Sequence, residues 1–268
     1  MNPIASRPSG PVAVPERVRA IAGADAVEPV WQNQLGGLTF RLTATAGERF
    51  VKWSSPGGEA AAKLGAEAQR LAWAAAWAPV PRVLDAGRDD TGAWLVTRGI
   101  PARSAVDPRW VADPRVAVRA IGRGLRLLHD ALPVAGCPFE WSVESRLRAA
   151  DHRIASGMRP DEWFPEHRSL SVSYARGLLD DAPEPDLTVV CHGDACAPNT
   201  LIGDDGAFAA HVDLGSLGVA DRWADLAVAA WSTEWNYGPG LAPALYEAYG
   251  VDPDAERIAY YRLLWDLS

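Results

Sequence analysis

The chain has 268 residues, 48% of them apolar, which is enough to fill the core of about two domains or lobes. A formal net charge of −8 and a pI near 5.2 argue against nucleic-acid or anionic-membrane partners, and they suit a polycationic ligand steered by an acidic surface. Three cysteines, Cys137, Cys191 and Cys196, make neither a disulfide framework nor a zinc pattern. With no apolar run near the ~20 residues that cross a bilayer, and prolines at 3, 8, 11 and 15 breaking any leader-like stretch, a cytoplasmic protein with reduced thiols is expected.

In chain order, residues 1–16 are Pro-rich and read as a loose arm. Alternating runs over 30–52 predict a hairpin-rich sheet, and Ala-rich 60–77 has apolar residues at helical spacing. Strands follow near 80–84 and 93–97. The second half is mainly helical, with helices near 113–131, 143–157, 169–180 and 222–233 and a helical pattern beyond Pro239. No internal repeat is visible. The division expected is 1–97 and 98–268.

The densest chemistry lies in His192-Gly193-Asp194, Asn199 and Asp213-Leu214-Gly215. A carboxylate, an Asn five positions on and a downstream D-x-G Asp are the parts of a phosphoryl-transfer site. One carboxylate must orient or deprotonate a hydroxyl, and hard oxygen ligands must hold Mg²⁺ against the phosphates of ATP. Asp194 is therefore the expected base, and Asn199 and Asp213 the expected metal ligands. Leu187-Thr188-Val189-Val190-Cys191 reads as a strand ending at the motif. Thr200-Leu201-Ile202, a Gly203–Gly206 turn and residues 207–212 read as a hairpin delivering Asp213. Taken singly, His192 and Asp194 read equally well as turn caps, and Asp213 as a solvated loop acid.

Further segments carry a resemblance: Ser216 to Ala227 with Asp221-Arg222-Trp223-Ala224-Asp225, Arg126-Leu127-Leu128-His129-Asp130, Cys137-Pro138-Phe139 and Tyr260-Tyr261-Arg262-Leu263-Leu264. The chain resembles the aminoglycoside phosphotransferases, densely over about 120–268 and more thinly over 30–110. The resemblance implies an α+β, two-lobed, protein-kinase-like fold with a small β-rich N-lobe and a larger, mainly helical C-lobe. It implies an ATP-dependent, Mg²⁺-requiring resistance enzyme acting on an aminoglycoside as monomer or weak dimer, with the 3′-hydroxyl of the kanamycin/neomycin type favoured.

Carried onto this sequence, Lys52 at the end of Phe50-Val51 is the phosphate-binding lysine and Glu67, within Glu67-Ala68-Gln69-Arg70-Leu71-Ala72-Trp73, is its helix partner. A surface Lys and an exposed Glu are the plainer reading, and Lys63 is a competitor placed on the helix. Gly36 and Gly37 lie where a phosphate-covering loop belongs, although a Gly-Gly pair is also an ordinary hairpin turn. Backbone groups near Arg98 and Ile100 are the implied adenine hinge. Asp161, Glu162 and Glu166 of an inserted segment, Asp266, and Ser268 with a terminal carboxylate are the implied drug acceptors.

Departures accompany the match. Ser216 stands where the family has an Arg able to stabilise developing phosphate charge. Trp265 replaces one acid of the terminal pair, and Pro160-Asp161-Glu162-Trp163-Phe164-Pro165 is similar to the streptomycin 3″-kinases. Streptomycin 3″-phosphotransfer, a related small-molecule kinase and a nucleotide-binding pseudokinase are accordingly alternatives. A metal hydrolase using His192-x-Asp194 and His211-x-Asp213 is another. Of the 12 tryptophans, Trp231 and Trp235, with Tyr237, suit core packing or sugar stacking, and Cys196 suits a buried small residue or a reactive thiol.

Overall fold

The computed structural model describes residues 5–6, 8, 10–33, 36–45, 47–57 and 59–268. Strict alternation builds the first sheet: in β3 (Leu38–Ala44) Phe40 and Leu42 are buried, while Arg41 between them pairs with Glu28. The other strands of this sheet are β1 (Ala5–Ser6), β2 (Ala26–Asn33), β4 (Gly47–Ser54), β5 (Val83–Asp89) and β6 (Gly92–Arg98), antiparallel in the order β1-β2-β3-β4-β6-β5. Register places Lys52 opposite Thr39 on one side and Leu95 on the other. Helix α1 (Glu16–Ala22) and helix α2 (Glu59–Ala74) complete the unit. Along α2, Glu67, Leu71 and Ala74 are buried at i, i+4 and i+7, so one face carries them all.

Two expectations are corrected here. The expected loose arm over 1–16 is held in place at described residues: Ala5 and Ser6 pair with Asn33 and Gln32, and Val12 and Val14 pack on the core of Val18, Phe40, Leu42, Val51 and Val96. The strand near 80–84 begins later, at Val83, because Pro79 and Pro81 cannot donate to a ladder. It extends to Asp89 through Gly87, where an added Cβ would lie 2.6 Å from the Trp94 ring.

The chain separates into two units, 1–101 and 102–268. The second contains β7 (Arg103–Ser104), α3 (Pro108–Val111), α4 (Pro114–Ala131), α5 (Val143–Ala155), α6 (Val172–Leu178), β8 (Thr188–Cys191), β9 (Thr200–Ile202), β10 (Phe208–His211), β11 (Gly218–Asp221), α7 (Trp223–Tyr237), α8 (Ala242–Tyr249) and α9 (Ala255–Leu267). Ser142, Ser171 and Asp254 cap α5, α6 and α9 by accepting from backbone N–H groups. Helix α7 is buried continuously from Trp223 to Thr233, which explains its weak polar periodicity. Around it pack α4, α8 and α9, and α4 in turn packs on β8, β9 and β10 of two small sheets, β10-β9-β7 and β11-β8. The fold is the α+β, kinase-like architecture expected: an antiparallel sheet region followed by a mainly helical one.

Candidate active site

Strand β8 is apolar and buried over its last three residues, pairs with β11, and ends at Cys191. The next two backbone amides are held by one carboxylate: His192 N–H and Gly193 N–H donate to Asp225 Oδ2 and Oδ1 at 2.6 and 2.9 Å. Asp225 lies fully buried in the first turn of α7 and also accepts from His129 Nε2 at 2.9 Å, while His129 Nδ1 meets the Tyr249 hydroxyl at 2.9 Å. Burial works against the Asp225 charge, yet the His129 hydrogen bond and charge and the Gly193 amide hold its carboxyl below the usual range.

Three links join this loop to the D-x-G turn. His192 accepts from Asp194 N–H through Nδ1 (3.2 Å), so its Nε2 carries the proton and donates to Val212 O (3.0 Å). Val212 N–H donates to Asn199 O at 2.9 Å. Gly193, at φ +81°, lets the turn come close: an added Cβ would lie 2.1 Å from Ser216 O. Asp213 itself has φ +63°, alone among the described non-glycine residues. The hairpin β9–β10 sets His211 opposite Thr200 and delivers Asp213 beside Asn199.

Asn199 Nδ2 donates to Asp194 O at 3.0 Å, which directs the amide oxygen the other way. Burial, and next the Asp213 charge, push the Asp194 carboxyl above its ordinary range. Two neighbouring carboxylates and an amide oxygen form a hard oxygen set whose mutual repulsion a divalent cation relieves, so the residues present fit Mg²⁺. A transition-metal reading fits poorly, because both His192 ring nitrogens are spent on the backbone. Among the described residues, the His, Cys and carboxylate atoms close enough to share an ion belong to His129, Cys191 and Asp225, and those of His129 and Asp225 already serve the loop scaffold. Arg222 does not stand in for the missing Arg at 216: its guanidinium is committed to Asp186 at 2.6 Å.

Within the first unit, Lys52 Nζ donates to Glu67 Oε1 and Oε2 at 2.7 and 2.9 Å, and Glu67 is only 5% exposed. Gly36 adopts φ +80°, and Gln34 and Leu35 of the same loop lie outside the described residues. Arg98 N–H donates to Arg82 O at 2.9 Å, which moves the adenine expectation to the Arg98 carbonyl and to Ile100.

The expected drug acceptors separate into two kinds. Asp161 and Glu162 sit on an exposed 3-10 turn with Arg159 between them, and Glu166 shares Arg262 with Glu234 at 3.3 Å each. Asp266 differs from expectation: it is 6% exposed, accepting from Phe164 N–H (3.1 Å) and from His167 Nδ1 (2.6 Å), so it braces residues 164–167. Ser268 accepts from Arg146 Nε through its hydroxyl and from Arg153 through its carbonyl, at 3.1 and 2.7 Å. Phe164 stacks on Trp235 with centroids 4.1 Å apart and touches Trp231, which Arg262 covers. Tyr237 points elsewhere, donating to Ala105 O. Cys196 is half-buried, and burial, then the Asp194 charge, push its thiol well up, away from thiolate reactivity.

Asp225, His129 and Ser232 are structural members of the site that motif reading did not single out. The available signal was three polar residues, Asp225, Ser232 and Asn236, at helical spacing on one face of a mostly apolar helix.

The aminoglycoside 3′-phosphotransferase of Streptomyces fradiae is 38% identical over 212 residues, 75% of this chain and 78% of that protein. The streptomycin 3″-kinase of Streptomyces griseus is 36% identical over 250 residues, 87% of this chain and 88% of that one. The solved structure of aminoglycoside phosphotransferase APH(3″)-Id from Streptomyces rimosus, in complex with ADP and streptomycin, superposes with a TM-score of 0.78 at 30% identity over 93% of this chain and 95% of that one. A family model matches residues 32–261, and by that match this chain belongs to the phosphotransferase enzyme family.

Proposed function

We propose that the protein transfers the γ-phosphoryl group of ATP to a hydroxyl of an aminoglycoside, the 3′-hydroxyl of the kanamycin/neomycin type being favoured, and so confers resistance. The observation that carries this reading is the pairing of Asp194 with Asp213 beside Asn199, on a loop fixed at both ends. Asp194 orients the acceptor hydroxyl and takes its proton, and its raised pKa makes it the better base. Asn199 and Asp213 hold Mg²⁺, which when bound neutralises charge on the β- and γ-phosphates. Lys52, fixed by Glu67, takes the α- and β-phosphates, with Gly36 and Gly37 at the phosphate loop and the Arg98 carbonyl and Ile100 at adenine. Asp161, Glu162 and Glu166 accept drug ammonium groups, and Asp266 and Ser268 support them by fixing the 164–167 segment and the end of α9.

Streptomycin 3″-phosphotransfer is the second reading, supported by the streptomycin 3″-kinase relative and by the aromatic Phe164–Trp235 pair in the inserted segment. A cytoplasmic monomer or weak dimer is the accompanying proposal; no described helix is long and apolar enough to cross a membrane. The test is nucleotide turnover with kanamycin, neomycin, paromomycin, streptomycin and hygromycin, with product NMR. A 3′-phosphate on kanamycin or neomycin is expected. Product at streptomycin alone selects the second reading, and ATP binding without turnover selects the pseudokinase reading motivated by Ser216.

A further inference from the structure

Helix α7 grips the catalytic loop at a second point that the motif does not name. Asp225, Ser232 and Asn236 stand at i, i+7 and i+11, which brings them within about 40° of one another around the helix. Asp225 takes the first half of the loop. Ser232, fully buried, takes the second: its Oγ accepts from Ala197 N–H at 2.8 Å. Ala197 opens the 3-10 turn that ends at Asn199, and Asn199 N–H closes that turn on Cys196 O at 2.9 Å. Asn236 Nδ2 donates to Ser232 O and Oγ at 2.8 and 3.2 Å, fixing the hydroxyl.

We propose that Ser232 is a positioning residue for the metal-binding half of the loop, holding Asn199 in place through the Ala197 amide. Two donors already point at Ser232 Oγ, so its own hydrogen turns toward the Cys196 thiol, which in turn bonds the Asp194 carboxylate. One serine thus links the helix to both the base and the metal ligand. Its loss leaves the Ala197 amide without its acceptor one turn from Asn199 and lets the amide side chain drift. A serine that merely satisfied a buried amide would change stability and leave metal affinity alone.

The inference rests on the proposed metal role of Asn199, and one measurement separates the two. Mn²⁺ binding to the ADP-loaded protein is followed by electron paramagnetic resonance for the wild type, Ser232→Ala and Asn236→Ala, each checked for folding by circular dichroism. About tenfold weaker Mn²⁺ binding is expected for Ser232→Ala, the usual scale for losing support behind a ligand. The Mg²⁺ concentration for half-maximal turnover should rise by a similar factor with KM for the aminoglycoside unchanged. Affinity within twofold of wild type in a folded variant overturns the proposal. Should Ser232→Ala not fold, Asn236→Ala decides in the same way: several-fold weaker binding supports the proposal and unchanged binding overturns it. Absence of Mn²⁺ binding in the wild type itself removes the metal role of Asn199, and this inference with it.

Discussion

Asp194 and Asp213 crowd two carboxylates into one small space, a costly arrangement unless a cation or a proton offsets it. Burial, the larger cause, raises the Asp194 carboxyl whether or not that cation is present, which suits its proposed role as base. Asp194→Asn keeps the shape and loses the proton acceptor, so kcat should fall by about 10²–10⁴ while the ADP-induced rise in Tm is preserved. Near-wild-type turnover would remove Asp194 from its role. Asp225 is a different acid: it touches no reactant, yet it serves His129, His192 and Gly193 at once. An asparagine offers one acceptor oxygen and an N–H₂ that faces another donor. Asp225→Asn should therefore cost about 3 kcal/mol in urea denaturation. The sign with pH follows from its lowered pKa: the wild type has this stability above the ordinary carboxylate range and loses it as pH falls through the lower folded value. The variant should show a shallower acid limb, and an equally steep one would place the effect elsewhere.

Elements differed in how readily the sequence disclosed them. The strand Thr188–Cys191 and the β9–β10 hairpin were legible because short β-branched runs, a Gly-Asp-Asp-Gly turn and the D-x₄-N spacing all agree. Helix α1 was hidden, since its seven residues follow a run of prolines and only Val18 and Ala22 mark a buried face. The bracing role of Asp266 was also illegible, because it depends on His167 and Phe164 arriving from an insertion about 100 residues away. Gly193 was legible as a motif position but not in its reason, which is the approach of Ser216 O. Gly193→Ala adds both a strained positive φ and a backbone clash, so loop and D-x-G turn must move apart. Turnover should fall at least tenfold with the helical circular-dichroism signal retained. Full activity in the Gly193→Ala enzyme would mean the loop and turn are free to separate without consequence.

Across the whole molecule, acidity has two separable consequences. The net charge of −8 attracts a polycation over distance, and the exposed acids Asp161 and Glu162, proposed as drug acceptors, would meet it in solvent. Both effects are screened, since the Debye length shrinks from about 30 Å at 0.01 M salt to about 8 Å at 0.15 M. Buried contacts such as Asp266 with His167 lie out of reach of that screening. Raising salt over this range should therefore lower kcat/KM for the aminoglycoside several-fold, almost wholly through KM, while kcat and Tm stay nearly constant. ATP, an anion, should show no such loss. Replacing Asp161 and Glu162 together by Asn and Gln should flatten the drug's salt dependence, because two exposed acids of the inserted segment are gone. Steady-state kinetics at several ionic strengths decides the matter. A drug KM that ignores salt in the wild type would place the ammonium groups in a dry pocket of buried acceptors, and the inserted turn would then have no part in binding.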